Sequence, residues 1–357
     1  MTLHVLMTAD AVGGVWTYTL ELARALAAYN VRTTIATLGP RPDTAQRRAA
    51  AMIPGVALIE ADFALEWMDN GWRDAEAAAD WLLALEQHLR PSVVHLNGFT
   101  HGALPWRAPA IVVAHSCVLS WREAVGGDFD EPWLERYRSA VARGLRGAQS
   151  VIAPTAAMLS ALERLYGPLR STSVIANGRD PLRFLPQEKM PLVVSAGRLW
   201  DRAKNIDAVH AIAPRLSWPV AIAGDVSVGC GRLPEQELAD LLGRAAIAAL
   251  PARYEPFGML PLEAALAGCA LVLGDISSLR EVWGDAATYV DPDDRDALHA
   301  AIEALIADPE RRQRSAWRAR RRALSYSPAD MARRYLWIYR SLTGGFDADP
   351  WRLACAS

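Results

Sequence analysis

The sequence predicts an α/β protein built from two doubly wound parallel sheets. Three observations lead there. The chain has 357 residues, a length that suits two domains. It opens on an apolar strand, a Gly-Gly turn and an amphipathic helix, the first unit of a doubly wound sheet. A second unit of the same kind starts at Pro191, after a connection over 180–190 punctuated by Pro181 and Pro186.

Composition narrows the classes. Hydrophobic residues make up 52% of the chain, enough for two cores, and the formal net charge of −2 gives no basic character to recruit nucleic acid. The 13 Trp allow pockets for flat rings, although core packing accounts for most tryptophans. Cys117, Cys230, Cys269 and Cys355 form no Cys-x-x-Cys pair and no zinc or disulfide framework, which suits a reducing cytoplasm. Met1–Met7 reads as a strand rather than a signal peptide, and no apolar run is long enough to span a bilayer.

In chain order, Leu3–Met7 is the first strand. It leads through Thr8–Gly14 into a helix over Val15–Tyr29, with Leu20, Ala23, Leu26 and Ala27 on one face and Asn30 closing it in the left-handed conformation. Thr33–Leu38 is the second strand. The Gly13-Gly14 turn has neither the dinucleotide spacing nor a P-loop string, so the residues alone leave it open as a ligand-admitting turn or a tight turn. Residues 41–50 read as an exposed connection, Val56–Ile59 as a strand, and 62–73, with Trp67, Met68 and Trp72, as a loop or helix with one sticky face. A helix follows over 74–90, carrying Trp81, Leu82, Leu85 and Leu89 and broken by Pro91. Val93–Gly98 and Ile111–Ser116 are buried strands ending in polar residues at the sheet's ligand edge. His115 is the stronger site candidate there, His95 and His101 the weaker. Residues 117–132 read as a loop over the site and 133–147 as a helix. A strand over Val151–Thr155, a helix to Tyr166 and an Asn177-Gly178 turn complete the first half.

The second half repeats the logic. Pro191–Ala196 is a strand that delivers Gly197-Arg198 and then Lys204-Asn205, and Val220–Ala223 is the next strand. Ala245–Leu250 is a third, followed by Tyr254-Glu255-Pro256-Phe257-Gly258-Met259-Leu260-Pro261-Leu262-Glu263 and a short helix over Ala264–Ala267 closed by Gly268. Pro261 belongs in the first helical turn, where no N–H is needed. That leaves the Gly258, Met259 and Leu260 amides at the positive end of the helix, a setting that binds phosphate. Glu255 and Glu263 flank this end, and each carboxylate can accept hydrogen bonds from sugar hydroxyls. Ala270–Leu273 and Ala287–Val290 are further strands, Asp291–Asp294 is a capping turn, and Arg295–Ala307 is a helix. Asp-x-Asp recurs along the chain, at 128–130, 291–293 and 347–349 among others, which makes it unspecific, and no essential metal is expected. Residues 311–322 hold seven Arg and Trp317. They read as a solvated helical face, with peripheral contact with an anionic membrane as the alternative. The last helix covers 328–343.

The Glu255-Pro256-Phe257-Gly258 string, with Pro261 and Glu263, resembles the Glu-x7-Glu signature of retaining family 4 glycosyltransferases of the GT-B fold. The resemblance covers most of the chain and is strongest over 190–300. It implies two facing Rossmann-like domains with the active site in the cleft: an acceptor-side domain over 1–185, completed by the C-terminal segment 326–357, and a nucleotide-sugar domain over 190–325. It implies Glu255 against the transferred sugar and Glu263 against the ribose. Arg198 and Lys204 would grip the diphosphate near Gly197, Gly258, Met259 and Leu260. The Gly13-Gly14 loop would face ligand, and His115, in an Ala-His-Ser motif like the family's, would lie near the sugar. The implied reaction is metal-independent transfer, with retention, from a nucleotide-diphosphate sugar to a hydroxyl of a glycan, lipid-linked or small-molecule acceptor. No other cofactor and no nucleic acid partner is expected, and the setting is cytoplasmic or peripheral at the inner membrane face. Between 225 and 233 the chain departs from the family pattern by about one βα unit, next to where the base binds. Another GT-B enzyme, an epimerase or a phosphorylase, and a non-catalytic nucleotide-sugar sensor are the alternatives.

Overall fold

The computed structural model describes residues 3–68, 71–127, 130–224 and 229–344. Seven strands form the first sheet: β1 (His4–Asp10), β2 (Arg32–Leu38), β3 (Val56–Glu60), β4 (Val93–Leu96), β5 (Ala110–Val113), β6 (Ser150–Ala153) and β7 (Thr172–Val174). Five form the second: β8 (Met190–Ala196), β9 (Val220–Ala223), β10 (Ala245–Leu250), β11 (Ala270–Gly274) and β12 (Thr288–Val290). Their spatial orders are β3-β2-β1-β4-β5-β6-β7 and β12-β11-β10-β8-β9. Every pairing is parallel. Helices cover both faces, so central strands such as Ala245–Leu250 are continuous apolar runs rather than alternating ones. These are two α/β domains of the GT-B kind. Each sheet reverses its strand order once, between β1 and β4 and between β8 and β10. The crevice beyond the strand ends at such a point is where open α/β sheets bind ligands.

The helices are α1 (Gly14–Ala27), α2 (Thr44–Ala51), α3 (Gly71–Leu89), α4 (Val118–Val125), α5 (Glu131–Gly147), α6 (Ala156–Tyr166), α7 (Ile206–Ile212), α8 (Glu235–Arg244), α9 (Met259–Leu266), α10 (Ser277–Trp283), α11 (Arg295–Ala307), α12 (Pro309–Ala323) and α13 (Pro328–Leu342). Asn30 closes α1 at φ 58°, as expected from its sequence position. Two segments differ from expectation. The stretch 41–50 is not a bare connection. Asp43 and Gln46 cap each other's backbone amides at 2.8 Å and start α2. The stretch 117–132 is not all loop, because Cys117 accepts the Ser120 amide and opens α4. The expected departure over 225–233 falls partly outside the described residues. Among those described, β9 connects to α8 with no intervening strand.

The arginine-rich stretch is α12, and it is more than a solvated face. Arg312 donates to Leu305 O and Ile306 O at the end of α11, Arg320 to Leu266 O at the end of α9, and Arg322 to Val282 O at the end of α10. Three side chains thus satisfy carbonyls that helix ends leave open. Beyond α12 the chain crosses back. Tyr335, Leu336, Ile338 and Tyr339 of α13 bury themselves with Tyr18, Leu22 and Leu26 of α1 against the first sheet. No helix among the described residues is long and apolar enough to cross a membrane.

Candidate active site

The ends of β1, β4 and β5 face the ends of β8 and β10 across a cavity of about 440 Å³. That volume lies within the range of small-molecule sites. On the second domain, the turn after β8 holds Gly197 at φ 150° and then Arg198. Arg198 donates to Asp201 Oδ2 at 2.8 Å and lies 4.9 Å over the Trp200 ring. Asp201 also accepts the Ala203 amide and, across the cleft, Trp121 Nε1 at 3.2 Å. Burial works against its charge, but these hydrogen bonds and the charges of Arg198 and Lys204 prevail and keep its carboxyl below the usual range. Lys204 Nζ sits 2.6 Å from Glu255 Oε2. The loop that carries Lys204 is fixed by the next residue. Asn205, buried and left-handed at φ 55°, donates to Pro251 O and Pro292 O.

Gly258 is the N-cap of α9 at φ 93°. A Cβ there would stand 3.0 Å from the Pro261 ring and 3.3 Å from Leu279, so only glycine lets the backbone turn into the helix at this point. Gly258 and Met259 line the cavity, while Leu260 packs toward the domain core. From the first domain, Gly13 at φ 77° caps α1. A Cβ on Gly13 would lie 3.8 Å from Arg198 Nη1, and one on Gly14 would lie 4.0 Å from Met259 Cγ. The Gly-Gly turn therefore closes directly over the Arg198 side chain and the start of α9.

His115 lines the cavity with its Nε2 2.8 Å from Asn97 Oδ1. Asn97 donates its own amide to Thr8 O, so Oδ1 must accept, His115 Nε2 carries the proton and Nδ1 keeps its lone pair. Burial pushes the ring pKa down to about 3, so the imidazole is neutral. His95, also pushed down to about 3 by burial and then by His115, is not a cavity residue. It bonds Tyr339 of α13 at 2.6 Å and serves packing.

Besides Asp201, two carboxylates on the first-domain wall of the cavity escape sequence reading. Asp10, at the end of β1, accepts the Val12 amide at 2.9 Å. Burial raises its pKa to about 6 against the opposing pull of that amide and Arg198. Glu66 accepts the Thr100 amide at 3.0 Å and is likewise raised by burial. The strand-end logic that selects His115 applies equally to Asp10. Glu66 sits beside Trp67 in a stretch with no motif.

Glu263 lies behind the cavity wall, not on it. Its carboxylate holds Arg179 Nε at 2.8 Å, and burial raises its pKa despite that cation. Arg179, 3% exposed, also binds Glu21 of α1 at 2.6 Å and Glu235 of α8 at 2.8 Å.

Residues 12–183 match the profile described as Glycosyltransferase Family 4, and residues 224–322 match Glycosyl transferases group 1. Over 319 residues the chain is 30% identical to the glycogen synthase of Mycobacterium tuberculosis, spanning 76% of this chain and 70% of that one. The chain belongs to the family 4, group 1 glycosyltransferases. This glycosyltransferase is also 26% identical over 362 residues to the alpha-maltose-1-phosphate synthase of Mycolicibacterium smegmatis, covering 85% and 87% of the two chains. Its fold matches that of a sucrose-phosphate synthase from Thermosynechococcus elongatus with a TM-score of 0.81 at 18% identity, over 96% of this chain and 100% of the other. It also matches an Anabaena protein solved in complex with UDP and glucose, with a TM-score of 0.73 at 16% identity, over 95% and 100%.

The two domains of the glycosyltransferase are held together around the cavity. The Tyr254 hydroxyl lies 2.7 Å from Ser120 Oγ and accepts the Cys117 amide. Thr155 donates to Pro256 O, and Glu281 accepts the Ala156 and Ala157 amides at the start of α6. Asp291–Asp294 is a cap, as expected: Asp294 accepts the Ala297 amide, and Asp293 pairs with Arg253.

Proposed function

We propose that the enzyme moves a sugar from a nucleotide-diphosphate sugar to a hydroxyl acceptor, with retention of configuration and with no metal ion or other cofactor. The observation that carries this reading is the convergence of Arg198, Lys204 and the start of α9 on one crevice. Departure of the nucleoside diphosphate builds negative charge on its oxygens. Two fixed cations and the amides near Gly258 and Met259 are placed to meet that charge, and one such donor is worth roughly 3 kcal/mol. Glu255, oriented by Lys204, accepts hydroxyls of the transferred sugar. The sugar passes through an oxocarbenium-like state while the neutral His115 lines its other side. Glu263 reaches the ribose only by exchanging part of its contact with Arg179. The structure of similar fold solved with UDP and glucose supports a nucleotide sugar as the donor class, and the names of the relatives support work on glycans.

Thermal unfolding and calorimetry with UDP-, ADP- and GDP-sugars in EDTA test the donor site, and the anomeric configuration of the product, read by NMR, tests retention. One class of nucleotide sugar should raise the midpoint and be consumed without metal. Absence of any shift, a requirement for added metal, or donor binding without transfer to any acceptor would each defeat this reading; the last leaves a sensor.

The exposed side of α12 carries Arg311, Arg314, Arg318 and Arg321 around Trp317, which is 61% exposed with Arg321 over its ring at 5.4 Å. We assign this face to peripheral contact with anionic lipid. Flotation should show binding to vesicles containing phosphatidylglycerol but not to pure phosphatidylcholine, and Trp317→Ala should weaken it.

A further inference from the structure

The charges around the cavity are divided unevenly between the domains. Among the described lining residues, the cations are Arg198 and Lys204, both on the second domain. Four carboxylates line the same space: Asp201 and Glu255, which pair with those cations, and Asp10 and Glu66 on the first domain. The first-domain wall therefore presents carboxylates with no Lys or Arg among its described residues, and His115 there is neutral.

One Asp10 oxygen takes the Val12 amide, and the other has no hydrogen-bond partner among the described residues. Beside these acids the same wall carries aromatic surface from Trp67 and Trp133, with Trp67 46% exposed. A diphosphate donor takes up both cations. A second anion entering from the first-domain side would then meet only negative charge in a confined space of low dielectric. Hydroxyl groups, in contrast, donate well to carboxylates, and the apolar faces of a pyranose suit aromatic rings.

We infer that the acceptor of this enzyme is an uncharged saccharide, bound along the Asp10–Glu66 wall, and not a phosphorylated sugar or another anionic acceptor. The inference rests on the transfer reading given above, and it names the acceptor class that the reading leaves open. It also makes Asp10 a residue that selects the acceptor by charge. Raised by burial yet still ionised near neutral pH, the carboxylate accepts a hydroxyl and repels a phosphate.

The test has two stages, so that the two readings fail separately. Calorimetry first identifies the nucleotide sugar that binds. With that donor saturating, initial rates are compared for maltotriose and mannotriose against glucose 1-phosphate, glucose 6-phosphate and mannose 1-phosphate. A neutral saccharide should exceed every phosphorylated one in kcat/KM by at least about tenfold. Asp10→Asn keeps the shape and the oxygen that holds the Val12 amide. It should shrink the neutral-to-phosphorylated ratio several-fold at saturating donor, whereas a merely structural role would lower both classes alike. Glu66→Gln gives the same readout should Asp10→Asn fold poorly. Failure of every nucleotide sugar to bind removes the transfer reading and this inference together. Donor binding with preferred transfer to a phosphorylated or cationic acceptor, or with no transfer to either neutral trisaccharide, overturns the inference alone.

Discussion

Lys204 and Glu255 illustrate how the site uses a close ion pair. At 2.6 Å each holds the other's rotamer. On the transfer proposed above, the ammonium would then wait where a leaving phosphate needs it and the carboxylate where sugar hydroxyls arrive. Lys204→Ala should lower kcat by roughly 10²- to 10³-fold, the scale found for removing one transition-state donor, with a smaller change in donor affinity. Steady-state kinetics with saturating acceptor reads this split. His115 gives a pH prediction. Its folded pKa of about 3 lies below the unfolded value of about 6.5, so the unfolded chain binds the proton first. Stability from this group is complete above about pH 6.5 and declines as pH falls toward 3. Asp10, raised to about 6, acts with the opposite sign, adding stability as pH falls from about 6 to 4. His115→Gln removes the first effect. The difference in unfolding free energy between wild type and variant should therefore move in the variant's favour between pH 7 and 4.5, as urea titrations at each pH would show. An unchanged difference would mean that the ring is protonated inside the folded protein.

At the scale of elements, α9 and α2 make contrasting cases. The α9 junction was legible because its parts are local. An apolar run, a glycine, a proline three residues on and flanking glutamates specify strand, turn and helix start within twenty residues. Gly258→Ala forces a side chain to φ 93° against Pro261. It should cost about 1–3 kcal/mol in urea unfolding and weaken nucleotide binding as well, because the amides shift. The α2 helix is hard to read from sequence because it is short and polar, with Arg47 and Arg48 masking any apolar face. Its signal was Asp43-x-x-Gln46, and Gln46 also donates to Ala11 O beside the Gly-Gly turn. Asp43→Ala should cost about 1 kcal/mol, visible as a lower urea midpoint, and leave the cavity residues in place. Asp10 and Glu66 stayed hidden for another reason. A lone acid at a strand end carries no pattern until the opposite wall is known.

Across the whole molecule, the sequence could not show what joins distant segments. Arg179 meets Glu263 from 84 positions away and Glu21 from 158, and no spacing rule reaches that far. The cluster ties α1 of the first domain to α8 and α9 of the second. Removing its cation strands buried carboxylates, so Arg179→Met should destabilise the protein by about 3–5 kcal/mol in chemical denaturation. A loss below 1 kcal/mol would show that the carboxylates find protons or water instead. The two-sheet architecture, by contrast, was readable because each parallel strand is a short apolar run ending in a turn. The return of α13 was expected from resemblance and is secured by Tyr335 and Tyr339.

The arginines of α12 bear on the cavity without lining it. Arg320 grips the carbonyl end of α9, whose other end faces the cavity. The helix is only eight residues long, so a tug at one end travels to the other as motion of a rigid rod. Because Arg320 grasps main chain rather than a side chain, the sequence of α9 can drift in evolution while the anchorage survives. The anchorage itself is lodged in a helix that a survey of catalytic residues would never visit.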